Sequence, residues 1–357
     1  MVLDLTASSA DITRAICDVP SVSGDEKTLA DLIEEAVSGL PHLEVLRHGN
    51  TVVARTDLGR AQRVAIAGHI DTVPLNDNLP TRDVEIDGVP HLWGRGTVDM
   101  KAGVAVQLKL AAELTDPAID VTWMWYDNEE VAASLNGLGL LAAARPDLFQ
   151  ADFAILGEPS NGQVEGGCNG TLRAIVRTTG VRAHSARAWI GENAIHRAAP
   201  ILTRLSEYRA REVMVEGLLY REGLSAVRIA GGVAGNVIPD ACEVEVNYRF
   251  APNKSAADAE AHVRAVLAGF DVEITDAAEG ARPGLDADIA RRFVAAVGAE
   301  PQPKYGWTDV ARFSALGIPA VNYGPGDPHL AHHDEERVPL AQIDAVERGL
   351  RAWLSSH

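Results

Sequence analysis

Three short runs of almost wholly apolar residues constrain this chain more than any other feature: residues 64–67, 121–126 and 153–156. A strand with one face in water alternates apolar and polar residues, whereas a continuous apolar run predicts a strand that is buried on both faces. A helix is predicted at 101–114, between the first two runs. The sequence therefore predicts an α/β sheet with helices above and below it. Ser23 and Glu26 resemble a capping box before a helix at 26–40.

The pattern changes near residue 170. Residues 242–250 alternate strictly, with Cys242 and Val244 on one face and Glu243 and Glu245 on the other, which is typical of a sheet with one solvated face. The predicted order of strand, helix, strand, strand, helix and strand is that of ferredoxin-like domains. These elements are strands 171–178, 224–230, 242–250 and 271–274 and helices 192–209 and 255–267.

After residue 283 the α/β character returns, with a helix at 289–297, a strand at 320–323 and a helix at 340–353. We therefore expect a mixed α/β fold of two domains. An α/β/α domain comprises residues 1–169 and 283–357. A smaller ferredoxin-like α+β domain, residues 170–282, is inserted into it.

The chain of 357 residues has 32 Lys and Arg against 50 Asp and Glu, a formal net charge of −18. Because a phosphate-binding surface needs clustered Lys and Arg, this balance argues against a nucleic-acid partner. No run approaches the ~18 apolar residues of a membrane span, and the first residues lack the basic region of a signal peptide. Cys17, Cys168 and Cys242 lie far apart without a C-x-x-C motif. We therefore expect a cytoplasmic protein that has no membrane partner.

Acidic and imidazole side chains follow the predicted buried strands. Ligand sites of open α/β sheets lie beyond the carboxyl ends of the strands. The candidates there are His69, Asp71, Asp99, Glu129, Glu130, Glu158, His332 and His333. Each alone has a simpler explanation, such as a surface histidine, a helix cap or a solvated acidic pair. Together, so many carboxylates at one edge would repel one another, and divalent cations would relieve that repulsion.

Five separated motifs resemble those of the co-catalytic di-zinc amidohydrolases and exopeptidases, a metallohydrolase family that includes acetylornithine deacetylase, aminoacylases and carboxypeptidases. The motifs are His69-Ile70-Asp71-Thr72-Val73-Pro74, GRGTVDMKAG at 94–103, Asn128-Glu129-Glu130, Gly157-Glu158-Pro159-Ser160 and His332-x-x-x-Glu336. The resemblance runs in order over nearly the whole chain. It implies that the larger domain is catalytic, with a zinc-exopeptidase-like fold, and that the inserted domain is a lid through which two subunits form a homodimer.

The resemblance implies two Zn²⁺ ions per chain, with Co²⁺ or Mn²⁺ as possible substitutes. The implied ligands are His69 and Glu158 on one ion, Glu130 and His332 on the other, and Asp99 bridging both. Each ion then has three protein ligands and an open position, as catalytic zinc requires. The spacing to Glu336 favours His332 over the adjacent His333.

Three further residues have implied catalytic roles. Glu129 would be the general base that takes a proton from the attacking water and later gives it to the leaving amine. Asp71 would accept the second ring N–H of His69 and fix its tautomer. His184, in the inserted domain, would stabilise the tetrahedral oxyanion, often in the active site of the partner subunit.

The substrate is a small N-acyl amino acid in this family. Asn236 and Arg249 match positions that contact substrate carboxylates, and Arg249 lies on the polar face of its predicted strand, where its guanidinium is free for a bidentate contact. Thr308 lies in a segment, residues 306–313, that approximates another substrate-contacting motif. At residues 167–171 this chain lacks the arginine-rich run of better-known members, so which residues bind a succinyl carboxylate is open.

Within the family, residues 157–160, 236–239 and 324–328 most resemble the members that act on N-succinyl-LL-2,6-diaminopimelate in the synthesis of lysine and cell-wall precursors. The resemblance therefore implies this substrate. The same metal motifs fit a deacylase or exopeptidase acting on acetylornithine, another N-acyl amino acid or a dipeptide. A binding protein without turnover would be expected to lack a ligand or the base, and every one of these positions is filled.

Overall fold

A computed structural model describes residues 2–356 of the chain. Met1 and His357, which end the predicted larger domain, lie outside the described residues. The chain folds into two compact units. The first comprises the chain up to Gly166, Pro283–Gln302 and the chain from Arg312 onward, and the second comprises Gly167–Arg282 and Pro303–Ala311.

The strands are β1 (Glu44–His48), β2 (Thr51–Arg55), β3 (Arg63–His69), β4 (Arg82–Ile86), β5 (Val89–Trp93), β6 (Asp120–Tyr126), β7 (Phe153–Leu156), β8 (Glu165–Gly166), β9 (Gly170–Thr179), β10 (Ala183–His184), β11 (Glu212–Val215), β12 (Leu218–Arg221), β13 (Gly223–Gly231), β14 (Val237–Ile238), β15 (Ala241–Phe250), β16 (Asp271–Ala278), β17 (Gln302–Pro303), β18 (Ala320–Asn322) and β19 (Arg337–Pro339). The α-helices are α1 (Ser9–Cys17), α2 (Lys27–Ser38), α3 (Lys101–Glu113), α4 (Gly137–Ala144), α5 (Ala194–Arg197), α6 (Ala199–Ser206), α7 (Ala256–Val266), α8 (Asp288–Val297), α9 (Val310–Ala315) and α10 (Leu340–Leu354). None of these helices combines the length and the apolar composition needed to cross a bilayer.

The first unit is built on an eight-stranded sheet in the order β1-β2-β6-β3-β7-β18-β8-β17. Its central strands β6, β3, β7 and β18 run parallel. The three predicted apolar strands are therefore confirmed, and the structure shows that they are neighbours at the centre of one sheet. Because they are parallel, their carboxyl ends meet at the same edge.

Both faces of the central strands are covered, as the apolar runs require. Val64 and Ile66 of β3 pack into a core formed with α1, α2, α3, α8 and α10, whereas the alternate residues Ala65 and Ala67 are buried outside that core. Helix α4, whose buried leucines also lie outside it, contacts β2 and β6. The predicted mixed α/β fold is confirmed.

A three-stranded antiparallel sheet, in the order β19-β5-β4, was not predicted. Its strands are short and largely exposed, so they lack the apolar run that identified the central strands. The sheet nevertheless places the loop after β5 beside the residue before β19, where Gly94 N–H donates to the Glu336 carbonyl over 3.0 Å.

The second unit contains a four-stranded antiparallel sheet in the order β13-β15-β9-β16. Helices α5, α6 and α7 cover one face, against the alternate residues Val244, Val246 and Tyr248 of β15. This is the ferredoxin-like arrangement that the strand order predicts. The helix predicted at 192–209 is instead two helices, α5 and α6, with Pro200 in the first turn of α6, a position that suits a residue without an N–H.

The unit boundaries differ from the predicted domains in two segments, because residues 167–169 also belong to the second unit. Pro303–Ala311 groups with the second unit rather than the first. The Asn169 N–H donates to the Lys304 carbonyl over 3.2 Å, and Trp307 Nε1 donates to the Glu279 carbonyl over 3.1 Å. These contacts join residues far apart in the chain, so local sequence pattern does not reveal them.

Candidate metal centre

Five predicted metal ligands lie at one edge of the sheet in the first unit. His69 ends β3, Glu130 follows β6, Glu158 follows β7, and Asp99 precedes α3. His332 lies in the loop between β18 and β19 and has a left-handed backbone, with φ of 63°. The carboxyl ends of the parallel strands therefore bring together side chains that are up to 263 residues apart in the sequence, the distance from His69 to His332.

These side chains form three overlapping groups in which the ligand atoms lie within 4.8 Å of one another. The groups are His69 with Asp99 and Glu158, Asp99 with Glu130 and His332, and His69 with Glu129 and Glu130. Asp99 belongs to both of the first two groups. His69 Nε2 lies 3.0 Å from Asp99 Oδ1, and His332 Nε2 lies 3.4 Å from Asp99 Oδ2. The two oxygens of one carboxylate thus face two different histidines.

The two histidines of the centre lie among carboxylates, and this shifts the pKa values of both kinds of group. Burial opposes a charge on His69, yet the carboxylates of Asp71 and Asp99 raise its pKa well above the ordinary value. Hydrogen bonding to Asp99 and Glu130 raises the pKa of His332 to about 10. The same contacts, working against burial, lower the pKa of Asp99. The carboxylates around both imidazoles thus favour positive charge at this edge of the sheet.

Asp71 lies behind the metal ligands and is completely buried. Its Oδ1 accepts the Glu129 N–H over 3.0 Å, and its Oδ2 accepts the Glu130 N–H over 3.1 Å. His69 Nδ1 lies 3.5 Å from Oδ1 and 3.0 Å from the Asp71 carbonyl oxygen. Asp71 therefore has two structural tasks: it faces the second nitrogen of His69, and it fixes the backbone that presents Glu129 and Glu130.

The predicted capping box at Ser23 and Glu26 is wrong, and its residues instead support the centre. Ser23 Oγ donates to Asp71 Oδ2 over 2.7 Å. Glu26 Oε1 accepts the N–H groups of Gly24 and Asn128, over 2.8 and 3.2 Å. Asn128, which immediately precedes Glu129, has a left-handed φ of 58°, a conformation that asparagine tolerates better than most residues. Tertiary hydrogen bonds thus replace the local cap.

A second buried carboxylate, Glu336, holds the loop that carries Asp99. Its Oε1 accepts the N–H groups of Val98 and Asp99, over 2.8 and 3.0 Å. Its Oε2 accepts from Arg95 Nη1 over 3.0 Å. Burial raises the pKa of Glu336 to about 7. Sequence reasoning used Glu336 only for its spacing from His332, and no local pattern pairs it with Arg95.

Two glycines let α3 approach the loop that carries Glu158. A Cβ on Gly103 would lie 2.1 Å from the Gly157 carbonyl oxygen, so only glycine fits there. Close packing of α3 against this loop fixes Glu158, which is 6% exposed. His333 behaves differently from His332, because its Nδ1 accepts the N–H of Glu335 in its own loop.

In the second unit, His184 and Asn236 lie side by side. β10 pairs with β14, and the Ser185 N–H donates to the Asn236 carbonyl over 2.9 Å. His184 is exposed, and its Nδ1 accepts the Ala186 N–H over 3.0 Å. This contact makes Nδ1 an acceptor, so the proton of the neutral imidazole lies on Nε2.

The other two predicted substrate-binding residues lie elsewhere in the second unit. Arg249 is half-buried on the polar face of β15, and its Nε donates to Asn247 Oδ1 over 3.1 Å. Burial and the nearby Arg173 lower the pKa of Arg249. Thr308 is 5% exposed, and its carbonyl accepts from the Cys168 thiol.

The centre that these residues form can be compared with known proteins. A family model described as peptidase family M20/M25/M40 matches residues 65–356, which is most of the chain. The chain belongs to this family. Two relatives are similar over almost their whole length. One from Mycobacterium tuberculosis, named putative succinyl-diaminopimelate desuccinylase, is 54% identical over 99% of both chains. One from Corynebacterium glutamicum, named succinyl-diaminopimelate desuccinylase, is 48% identical over 99% of this chain and 98% of its own.

Two solved structures share the fold. A tripeptidase from Staphylococcus aureus superposes with a TM-score of 0.78 at 18% identity, covering 99% of each chain. The YxeP protein of Bacillus subtilis, described as a dinuclear metal-binding peptidase of the M20 family, superposes with a TM-score of 0.69 at 18% identity, covering 97% of this chain and 96% of its own. At 18% identity these two structures establish the fold of the chain and do not identify its substrate.

Proposed function

We propose that this chain is a metal-dependent amide hydrolase that cleaves N-succinyl-LL-2,6-diaminopimelate to succinate and LL-2,6-diaminopimelate. The observation that carries the proposal is the sharing of Asp99 between two groups of imidazole and carboxylate ligands. Substrate choice is supported by the two relatives named for this reaction, at 54% and 48% identity over nearly the whole chain.

The donor set fits a pair of zinc ions. Imidazole and carboxylate ligands together suit Zn²⁺, and they accept Co²⁺ or Mn²⁺. The proposed ligands are His69 and Glu158 for one ion, Glu130 and His332 for the other, and Asp99 for both. When bound, the ions would supply Lewis-acid polarisation of the amide carbonyl and a lowered pKa for the attacking water.

Proton transfer is assigned to Glu129. Its carboxylate lies in the group that also contains His69 and Glu130, within 4.8 Å, and its backbone is fixed by Asp71. From there it takes the proton of the attacking water and returns it to the leaving amine nitrogen. Asp71 keeps the His69 ring oriented through Nδ1, which leaves Nε2 to face Asp99.

His184 is assigned to stabilisation of the oxyanion that forms on the amide oxygen. Because Nδ1 already accepts the Ala186 N–H, Nε2–H is the group available to donate. Asn236, Arg249 and Thr308 are assigned to the carboxylates and polar groups of the substrate.

A homodimer through the second unit is part of the proposal. β13 is an edge strand of its sheet, and Val227 and Ile229 on it are 58% and 48% exposed. An exposed apolar edge strand favours pairing with another chain. The buried, unpaired thiols of Cys17, Cys168 and Cys242 fit a reducing compartment such as the cytoplasm.

The test is a substrate panel combined with a metal analysis. The purified chain, loaded with zinc, is assayed on N-succinyl-LL-2,6-diaminopimelate, acetylornithine, other N-acyl amino acids and dipeptides. We expect about two zinc ions per chain and the highest kcat/KM on the succinyl substrate. Much faster cleavage of acetylornithine or of a dipeptide would assign the same centre to that reaction instead. A metal content of one ion per chain at full activity would contradict the shared Asp99.

A further inference from the structure

Two arginines lie close together on the open face of the second unit's sheet. Residues 172 and 174 of β9 and 248 and 250 of β15 face the helices, so the alternate residues face away from them. On that open face Arg173 lies opposite Asn247, and Arg249 lies opposite Thr171. Arg173 and Arg249 are therefore diagonal neighbours across one strand pair, a spacing that long side chains can bridge.

Neither arginine has an acidic partner among residues 2–356. Within the described part of the chain, the Arg249 guanidinium makes one side-chain hydrogen bond, to the neutral Asn247, whose own amide donates to Thr171 Oγ1. Arg177, which is on the same strand and the same face, is different: it lies between Glu243 and Glu273 and pairs with both. The sheet thus neutralises Arg177 and leaves Arg173 and Arg249 without a carboxylate.

An anion would relieve the repulsion between these two arginines, of which Arg173 is exposed. Arg249 is half-buried, so its charge is partly removed from water, and the charge of Arg173 repels it. Across the strand on its other side Arg249 faces Gly223, where even an added Cβ would meet no atom within 4 Å. Space for a ligand is therefore open beside the guanidinium.

The net negative charge of the chain is not shared by the second unit, which carries the two arginines. The second unit contains fifteen basic and fifteen acidic residues, so the entire net charge of −18 lies in the first unit. An anionic substrate is repelled by the first unit in the absence of metal, and it needs cationic groups to hold it.

We propose that Arg173, together with Arg249, forms a carboxylate-binding site on the open face of this sheet, and that Arg173 is a specificity-determining residue for an anionic substrate. The proposal rests on the proposed function, because it assigns this site to a carboxylate of the substrate. Two planar guanidinium groups match the geometry of one carboxylate. That carboxylate belongs either to the succinyl group or to the distal end of the amino-acid part. Asp276, which lies opposite Arg173 on β16 without an ion pair between them, is the internal rival for this position.

The test compares Arg173→Gln with two controls in the zinc-loaded full chain. Arg177→Gln removes an equal charge from the same strand and face, and Asp276→Asn removes the internal rival. The substrates are N-succinyl-diaminopimelate, its N-succinamoyl counterpart, which lacks the acyl carboxylate, and N-succinyl-lysine, which lacks the distal carboxylate of the amino-acid part.

We expect Arg173→Gln to raise KM for the full substrate by about tenfold to a hundredfold, the loss of a charge-assisted contact, with little change in kcat. Arg177→Gln and Asp276→Asn should stay within about threefold of the parent chain, a difference of only ~0.6 kcal/mol. The substrate on which Arg173→Gln and the parent have equal KM identifies the carboxylate that Arg173 binds.

An equal loss on all three substrates, or no loss on any, would overturn the proposal. Calorimetric titration with succinate and, separately, with diaminopimelate tests the site without turnover. Weaker binding of one of these probes to Arg173→Gln supports the site, and unchanged binding of both overturns it. If the parent chain cleaves none of the succinyl substrates while the titrations still distinguish the variants, the proposed function fails and the carboxylate site stands.

Discussion

Replacing Asp71 by asparagine tests how the centre is held together. The two side chains have the same shape, so Asp71→Asn changes only charge and hydrogen-bonding capacity. Both carboxylate oxygens of Asp71 accept backbone N–H groups, Oδ1 from Glu129 and Oδ2 from Glu130. An amide has one oxygen, so in either orientation its NH₂ must face an N–H donor. In the less costly orientation the NH₂ replaces Oδ2, because Ser23 Oγ can turn to accept from it and only the Glu130 N–H loses its partner.

The size of the effect follows from that count. A buried N–H group left without an acceptor costs about 1–3 kcal/mol. Loss of the carboxylate facing His69 Nδ1 lowers metal affinity by about tenfold to a hundredfold, as is usual for groups that orient a ligating histidine. We therefore expect Asp71→Asn to lose about 1–3 kcal/mol of unfolding free energy in urea and to bind zinc more weakly in a competition with a chromophoric chelator. kcat/KM at saturating zinc should fall by about tenfold to a hundredfold, because a poorly oriented histidine ligand impairs catalysis as well as metal binding.

The matched control is the equivalent substitution of the buried acid next to it. Glu26 uses Oε1 for both of its contacts, and its Oε2 is buried without a hydrogen-bond partner. Glu26→Gln can therefore keep both contacts, and we expect activity and zinc affinity to stay within about threefold of the parent chain. Glu26→Leu removes the acceptor of the Asn128 N–H and should be costly. Equal effects of Asp71→Asn and Glu26→Gln would refute the reasoning. The number of carboxylate oxygens that accept backbone N–H groups would then not predict the loss of stability or activity.

Four further outcomes are expected. Glu129→Ala should keep about two zinc ions by plasma emission spectroscopy while turnover falls by about a hundredfold to ten-thousandfold; loss of metal instead would make Glu129 a ligand rather than the base. His332→Ala should reduce the zinc content from about two to about one ion per chain, and an unchanged content would transfer the role to His333. Burial and the charges of Asp71 and Asp127 raise the pKa of Glu26, so its ionisation destabilises the fold as pH rises above the unfolded value of 4.5. The Tm of Glu26→Gln relative to the parent should therefore increase from pH 5 to pH 8. A constant difference in Tm would contradict the raised pKa. Ile229→Glu should shift the light-scattering mass from dimer to monomer if β13 is the contact, whereas a parent chain that is already a fully active monomer would exclude the dimer.

Local patterns in the sequence were sufficient for the sheet and for the identity of the acids around it. A continuous apolar run such as residues 121–126 indicates burial on both faces directly, because consecutive residues of a strand face opposite sides of the sheet and all of them are apolar. The parallel order of those strands then places their ends together without any further information. For the same reason strict alternation in β15 predicted which residues of the second unit face its helices.

The supporting contacts could not be read in the same way. The Ser23 hydroxyl contacts a residue 48 positions away, the Glu26 carboxylate one 102 away, and the Glu336 carboxylate one 238 away. A Ser and a Glu spaced three apart are compatible both with a local cap and with tertiary contacts. The local interpretation was wrong here because Asp71 and the Asn128 N–H offered buried partners, and buried polar groups are satisfied wherever a partner can be reached.

The three buried acids behind the centre share one feature that explains why acids, rather than other polar residues, occupy these places. Asp71, Glu26 and Glu336 each accept two backbone N–H groups. Both groups on Asp71, both on Glu336 and the Asn128 N–H on Glu26 belong to segments that present metal-site residues. Backbone amides orient a carboxylate without bringing a formal positive charge. Lysines in the same positions would satisfy the acids too, yet they would also reduce the negative potential that attracts a divalent cation. The single exception, Arg95, pairs with Glu336 Oε2, on the oxygen that does not contact the Asp99 loop. Holding the ligand loops with neutral donors therefore keeps them rigid while leaving the edge of the sheet negative.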